Sequence, residues 1–157
     1  MISNSSYQEV LTASGLNVDA EYALMPVNYT ENHWALLLWK VAEGQFFYFD
    51  SFGLTAEKAL FPDVQGSHKA CKFLIEHFSK EKEVKRRVKV YNVNVPIQTN
   101  KEDCGPLVLV MMERLIENKG EAIKNLNPEN YKKSLCKWFN PADEALSVRK
   151  KLSILFK

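Results

Sequence analysis

No apolar run in this 157-residue chain is longer than about half a dozen residues, Leu107 to Met112 being typical, whereas a membrane-spanning helix needs roughly 20. The polar start MISNSSYQEV lacks the apolar core of a signal peptide, so the chain reads as soluble, with no membrane span and no recognisable address. Charge of one sign is also missing. Twenty-one Lys and Arg face nineteen Asp and Glu, a formal balance of +2, too small to imply nucleic acid or another polyanion as partner. Cysteine is scarce: Cys71, Cys104 and Cys136 are odd in number, with no Cys-x-x-Cys spacing. That argues against a disulfide-stapled secreted scaffold and for reduced thiols inside a cell. Cys71 and His68 would supply only two zinc ligands, too few for a site, so no metal or cofactor is expected. Repeats and low-complexity tracts are absent. What remains, 46% hydrophobic and 25% charged, fits one compact domain over residues 1–157.

Apolar segments Trp34 to Val41 and Gln45 to Ser51 flank the Ala42-Glu43-Gly44 break and are rich in aromatic and aliphatic residues on both parities. They predict a hairpin of buried strands. Tyr22 to Asn28, interrupted by Pro26, precedes it as a further strand, and Val88 to Val95 adds a fourth. Between them Ala70, Phe73, Leu74 and Phe78 have helical spacing, which predicts a surface helix over Gly66 to Phe78. After Pro96 a helix is expected from Cys104 to Asn118, with Asp103 as N-cap, Pro106 in its first turn and Gly120 ending it. Its apolar residues run all round, so it should be buried on nearly every side. Pro128 and Pro141 punctuate the helical remainder. The fold class is α+β: a mainly antiparallel central sheet packed on a buried helix that starts at Cys104, with peripheral helices.

Cys104 is the natural starting point for chemistry, because unpaired N–H groups and the macrodipole at a helix N-terminus favour a thiolate. A thiolate nucleophile needs an imidazole, a group to orient it and an oxyanion donor. Of the three histidines, His68 and His77 lie nine residues apart on the surface helix and face opposite ways at about 100° per residue. His33 instead opens a buried strand beside Trp34. Hairpin arithmetic places Asp50 opposite a residue between 33 and 38, so His33 and Asp50 can meet at one end of the sheet. A carboxylate there would fix the imidazole tautomer; Asp50 read alone is equally a turn residue of Asp50-Ser51-Phe52-Gly53. Gln98, six residues before Cys104 in a loop, is positioned to donate to an oxyanion together with the Cys104 N–H.

The stretches Asn32-His33-Trp34, Phe47-Tyr48-Phe49-Asp50-Ser51 and Gln98 to Gly105, with its Asp103-Cys104-Gly105 end, resemble the ubiquitin-like-protein-specific cysteine proteases. This is the sentrin/SUMO protease family of clan CE, grouped with adenovirus protease and bacterial relatives. The likeness spans about residues 22 to 118. It implies a papain-like architecture, His33 as general base, Asp50 as its orienter, Cys104 as nucleophile and Gln98 in the oxyanion hole. It also implies that Trp34 roofs a channel for a Gly-Gly tail. Pro106 departs from the apolar residue more usual after Cys-Gly, and the leader before the first strand is short, as if the N-terminal substrate-binding portion were reduced or trimmed.

The function so implied is a thiol protease or isopeptidase, acting as a monomer on ubiquitin or a ubiquitin-like modifier and its conjugates. Two other readings stand beside it: a clan CE protein acetyltransferase using the same Cys-His-acid set, and a binding module that keeps the fold without turnover. The tails of ubiquitin and the neddylation modifier carry arginines before the two glycines, and SUMO tails do not. Asp19, Glu21 and Glu31 before His33, and Glu102 and Asp103 before Cys104, therefore lean toward the former pair, with Glu31, Glu102 and Asp103 as substrate contacts. The basic clusters Lys85 to Arg87 and Arg149 to Lys151 read as solvated helix ends. The expected setting is cytoplasm or nucleus, or a host cytosol if the protein is a delivered effector.

Overall fold

The computed structural model describes residues 20–29, 32–59, 88–133, 135 and 137–155. The helix expected over Gly66 to Phe78 with His68, Cys71 and His77, the Lys85 to Arg87 cluster, Asp19, Glu31 and Cys136 lie outside the described residues. Four strands, β1 (Tyr22–Tyr29), β2 (His33–Lys40), β3 (Gln45–Phe49) and β4 (Val90–Val93), form one sheet in that order. The β1–β2 and β2–β3 pairs are antiparallel, as expected, whereas β3–β4 is parallel, with Phe46 opposite Val90 and Phe49 opposite Val93. The sheet is therefore mixed. Hairpin reasoning applies where turns are short, and residues 50–89 between β3 and β4 are long enough for the crossover that a parallel pair requires.

The unbroken apolar runs of β2 and β3 follow from burial on both faces. Ala35, Leu37, Trp39, Phe46 and Tyr48 lie in one buried cluster, together with Ala56 of a short helix, α1 (Ala56–Ala59). Leu36, Leu38, Phe47 and Phe49 lie in another, against Val108, Met111 and Leu115 of α2 (Cys104–Asn125). The opposite side of α2 presents Leu107 and Val110 to Ala145 and Val148 of α3 (Pro141–Leu155). A helix clamped between a sheet and a second helix is apolar nearly all round for that reason; Leu109 and Ile116 are its exposed exceptions.

The dihedral angles of α2 leave the helical region at Glu117, and Asn118, Lys119 and Gly120 turn left-handed (φ 50°, 59° and 73°) before a last helical stretch. Gly120 sits in this break, where an added Cβ would also come within 3.3 Å of the Tyr22 hydroxyl. Pro141 opens α3, where its missing N–H is harmless; Asn140 Oδ1 accepts from the Ala142 N–H at 3.2 Å. Arg114 of α2 pairs with Glu144 of α3 at 2.7 Å, a hydrogen bond that raises the Arg114 pKa. Among the described residues no helix is long and apolar enough to cross a membrane.

Candidate active site

The β2–β3 register pairs Lys40 with Gln45 and Leu36 with Phe49. One further step puts Asp50 opposite Ala35, with His33 one pleat beyond on the same face. The side chains meet: His33 Nε2 lies 2.9 Å from Asp50 Oδ2. The same oxygen accepts from the Tyr48 hydroxyl at 2.9 Å, a contact set by the two-residue period of the strand. Asp50 Oδ1 accepts from the Phe52 N–H at 2.7 Å, and the Asp50 carbonyl from the Gly53 N–H at 3.1 Å. Asp50 is thus a turn residue and the partner of His33 at once. A carboxylate oxygen that only accepts places a hydrogen on Nε2; in the neutral imidazole this leaves the Nδ1 lone pair available. The Phe52 ring lies against the imidazole, with centroids 5.5 Å apart.

Cys104 is the first residue of α2 and is 4% exposed. Its Sγ contacts the Asn32 carbonyl at 3.9 Å, and a Cβ on Gly105 would lie 3.7 Å from Trp34 Cδ1. The Asn32 carbonyl therefore meets the thiol and Trp34 borders the space beside Gly105, which brings the end of β2 and the start of α2 into one place. Trp34 remains 42% exposed despite its size. Asp103 occupies the N-cap position, but its backbone is αR (φ −94°, ψ −1°) and its carboxylate caps nothing. That corrects the capping expectation: the buried carboxylate is engaged instead by Arg149, whose Nη2 and Nε reach Asp103 Oδ1 at 3.0 and 3.2 Å. The N–H groups of the first turn are left without a side-chain cap.

Gln98 is buried in the loop before α2 and is held at both ends of its amide. Its Oε1 accepts from Ser51 Oγ at 2.6 Å, and its Nε2 donates to the Asn100 carbonyl at 2.7 Å. Because a carbonyl can only accept, the amide orientation is determined, and the second N–H of Nε2 remains for another acceptor. The Gln98 N–H also donates to the Ser51 carbonyl at 2.8 Å. The Asp50 turn and the Gln98 loop are thereby stitched together.

Of the acidic residues, Glu102 is exposed in this loop. Glu21 is not near the site. It precedes β1 at the Tyr22↔Lys40 end, whereas His33 pairs with Tyr29 at the other, roughly 24 Å away along the strand at about 3.4 Å per residue. Proximity in sequence was undone by the extended chain. Tyr48, Phe52, Asn100 and Arg149 all contact the site residues, and sequence reading did not single them out for it. For Tyr48 the signal was its two-residue offset from Asp50. Arg149, read as a solvated helix end, had none, because it meets Asp103 across a separation of 46 residues.

The Ulp1 protease family, C-terminal catalytic domain, matches residues 7–149. Ubiquitin-like-specific protease 1D of Arabidopsis thaliana is 39% identical over 71 residues, 45% of this chain and 12% of that protein; the chain thus spans far less than the whole of this curated relative. Among solved structures, the Xanthomonas campestris effector protein XopD bound to ubiquitin superposes with TM-score 0.60 at 13% identity, covering 96% of this chain and 70% of the other. The SUMO protease Ulp1 with its catalytic cysteine oxidised to a sulfonic acid superposes with TM-score 0.56 at 14% identity, covering 93% and 57%. At such identities the structural likeness is one of fold.

Proposed function

Because the chain belongs to the Ulp1 protease family, a family of cysteine proteases, we propose that it is a thiol protease or isopeptidase cutting after the C-terminal Gly-Gly of ubiquitin or a ubiquitin-like modifier. The observation that carries this reading is the 2.9 Å His33–Asp50 contact at the strand end where the carbonyl of the preceding Asn32 meets the Cys104 thiol.

In the proposed reaction His33 Nδ1 takes the Cys104 thiol proton, and the sulfur attacks the carbonyl carbon of the terminal glycine. The carbonyl π electrons move to oxygen, where the free Gln98 N–H and the Cys104 backbone N–H donate to the oxyanion. As the tetrahedral adduct collapses, the C–N bond breaks and His33 gives its proton to the leaving amine. This leaves a thioester on Cys104. Water then attacks, with His33 as base, and collapse returns the thiol and frees the glycine carboxylate. Asp50 holds the imidazole tautomer through both halves and stabilises the imidazolium. Trp34, half-exposed over Gly105, suits a channel that only side-chain-free residues can thread.

Glu102, exposed two residues before the nucleophile, favours a tail with arginines and so ubiquitin or the neddylation modifier over SUMO. Asp103 is already engaged by Arg149 and adds little to that attraction. The setting we propose is intracellular, including a host cytosol, a reading supported by the fold shared with the effector XopD. The test is incubation with C-terminally electrophilic probes of ubiquitin, SUMO and the neddylation modifier, read by intact mass. One adduct per chain, lost in Cys104→Ala, is expected. No adduct with any of the three overturns the reading.

A further inference from the structure

The loop from Gln98 to Asp103 carries the amide on which the proposed oxyanion hole depends, yet Thr99, Asn100, Lys101 and Glu102 are all exposed. Apolar burial cannot hold such a segment, and each of its residues gains backbone entropy by leaving a fixed conformation. What fixes it is polar. Gln98 Nε2 donates to the Asn100 carbonyl. Asn100 Oδ1 accepts from the N–H groups of Glu102 and Asp103 at 2.9 and 3.1 Å, and Asn100 Nδ2 donates to Asp103 Oδ2 at 2.6 Å. The series ends on α3, where Arg149 donates to Asp103 Oδ1 and, from Nη2, to the Glu102 carbonyl at 2.7 Å.

We infer that Arg149 is a positioning residue for the Gln98 amide, acting through Asp103 and Asn100; its effect on rate rests on the proposed hydrolase reading, while the linkage itself does not. Two consequences of the geometry support it. First, α3 is docked on α2 by Leu107, Val110, Ala145 and Val148, so the guanidinium is anchored on a rigid element and braces the loop from outside. Second, one carboxylate joins the two ends of the series: Asp103 Oδ1 accepts from Arg149 and Asp103 Oδ2 from Asn100 Nδ2, so the guanidinium fixes the same Asn100 whose carbonyl holds the Gln98 amide. A lysine cannot replace this arginine fully, because reaching a carboxylate and a carbonyl together uses the planar fork.

Arg149 has a side chain 47% exposed, and ion pairs at such positions contribute little to stability, so the effect should appear in catalysis and not in melting. The experiment compares wild type, Arg149→Met, Arg149→Lys and Asp103→Asn, each in the Gln98 and Gln98→Ala backgrounds, with Tm measured throughout. In 15N spectra the Gln98 side-chain amide pair, identified by its loss in Gln98→Ala, should move toward free-amide shifts and exchange faster in Arg149→Met, with Arg149→Lys between. With a fluorogenic Gly-Gly modifier substrate, kcat should fall about tenfold in Arg149→Met with KM nearly unchanged, and the change should be almost silent once Gln98 is alanine. Unmoved Gln98 amide signals, or an equal loss in both backgrounds, would overturn the inference. If wild type turns over no modifier, the hydrolase reading fails, and the amide spectra of the folded variants still decide whether Arg149 holds the loop.

Discussion

The two halves of the site are built in different ways. His33 and Asp50 belong to one hairpin, 17 residues apart, and their supports, Tyr48 and Phe52, come from the same strand and turn. Gln98 and Cys104 are six residues apart in sequence, yet their supports reach them from Ser51 and Asn32, across 47 and 72 residues, and Asp103 between them is held by Arg149 across 46. The first half is assembled once β2 and β3 are in register. The second is assembled only when the sheet, the loop and both long helices have packed. A local pair held by strand geometry should therefore tolerate loss of a support better than a loop held by distant hydrogen bonds.

The largest effects test whether both halves serve one reaction. Cys104→Ala should abolish hydrolysis and probe labelling with an unchanged fold by circular dichroism, because it removes the nucleophile and little volume, while Cys71→Ala and Cys136→Ala keep most activity. Retained turnover in Cys104→Ala would dissolve the comparison, since the helix end would then not be the nucleophilic half. Within the hairpin half, His33→Ala should cost several orders of magnitude in kcat, and Asp50→Asn somewhat less, the amide holding the ring poorly. Steady-state kinetics on one fluorogenic modifier substrate orders the two.

Gln98→Ala should raise the barrier by about 2.7–4 kcal/mol, the usual worth of one oxyanion donor. An unchanged kcat would leave the oxyanion to the Cys104 N–H alone. The comparison is sharpened most by matched removal of one hydroxyl on each side. Tyr48→Phe leaves Asp50 with two other donors and should lower kcat only a few-fold, while Ser51→Ala strips the buried Gln98 carbonyl of its partner and should cost more. Leaving a buried acceptor unpaired costs about 1–3 kcal/mol, so Ser51→Ala should also melt below Tyr48→Phe. Equal kinetic losses would show that the halves do not differ in robustness. The smallest expected effect is electrostatic: Glu102→Gln should reduce kcat/KM for ubiquitin modestly, and more at low salt than at high, with little change for SUMO.

How much was legible in advance divides along the same line. The four strands lie within about two residues of the segments read from apolar patterning, and the meeting of His33 with Asp50 follows from turn position plus the two-residue period. The break in α2 at Gly120 was signalled by glycine, though Asn118 and Lys119 share its left-handed geometry. Asp103 shows where local rules stop. Its type and position predict a cap, and a partner 46 residues away on α3 takes the carboxylate instead. The parallel β3–β4 pair was not legible either, because a long connection allows either direction.

Sequence by itself determined the four strands, the start of α2 and the hairpin pair, since periodicity, turn chemistry and strand register act over a few residues and leave their pattern in the chain. Tertiary structure alone decided the environment of the second half: which partner holds Gln98, where the Asp103 carboxylate points, that Arg149 is part of the site surroundings, and that Glu21 is not. Those outcomes depend on side chains that approach one another only after α2 is buried between sheet and α3, and no spacing along the chain encodes such an approach.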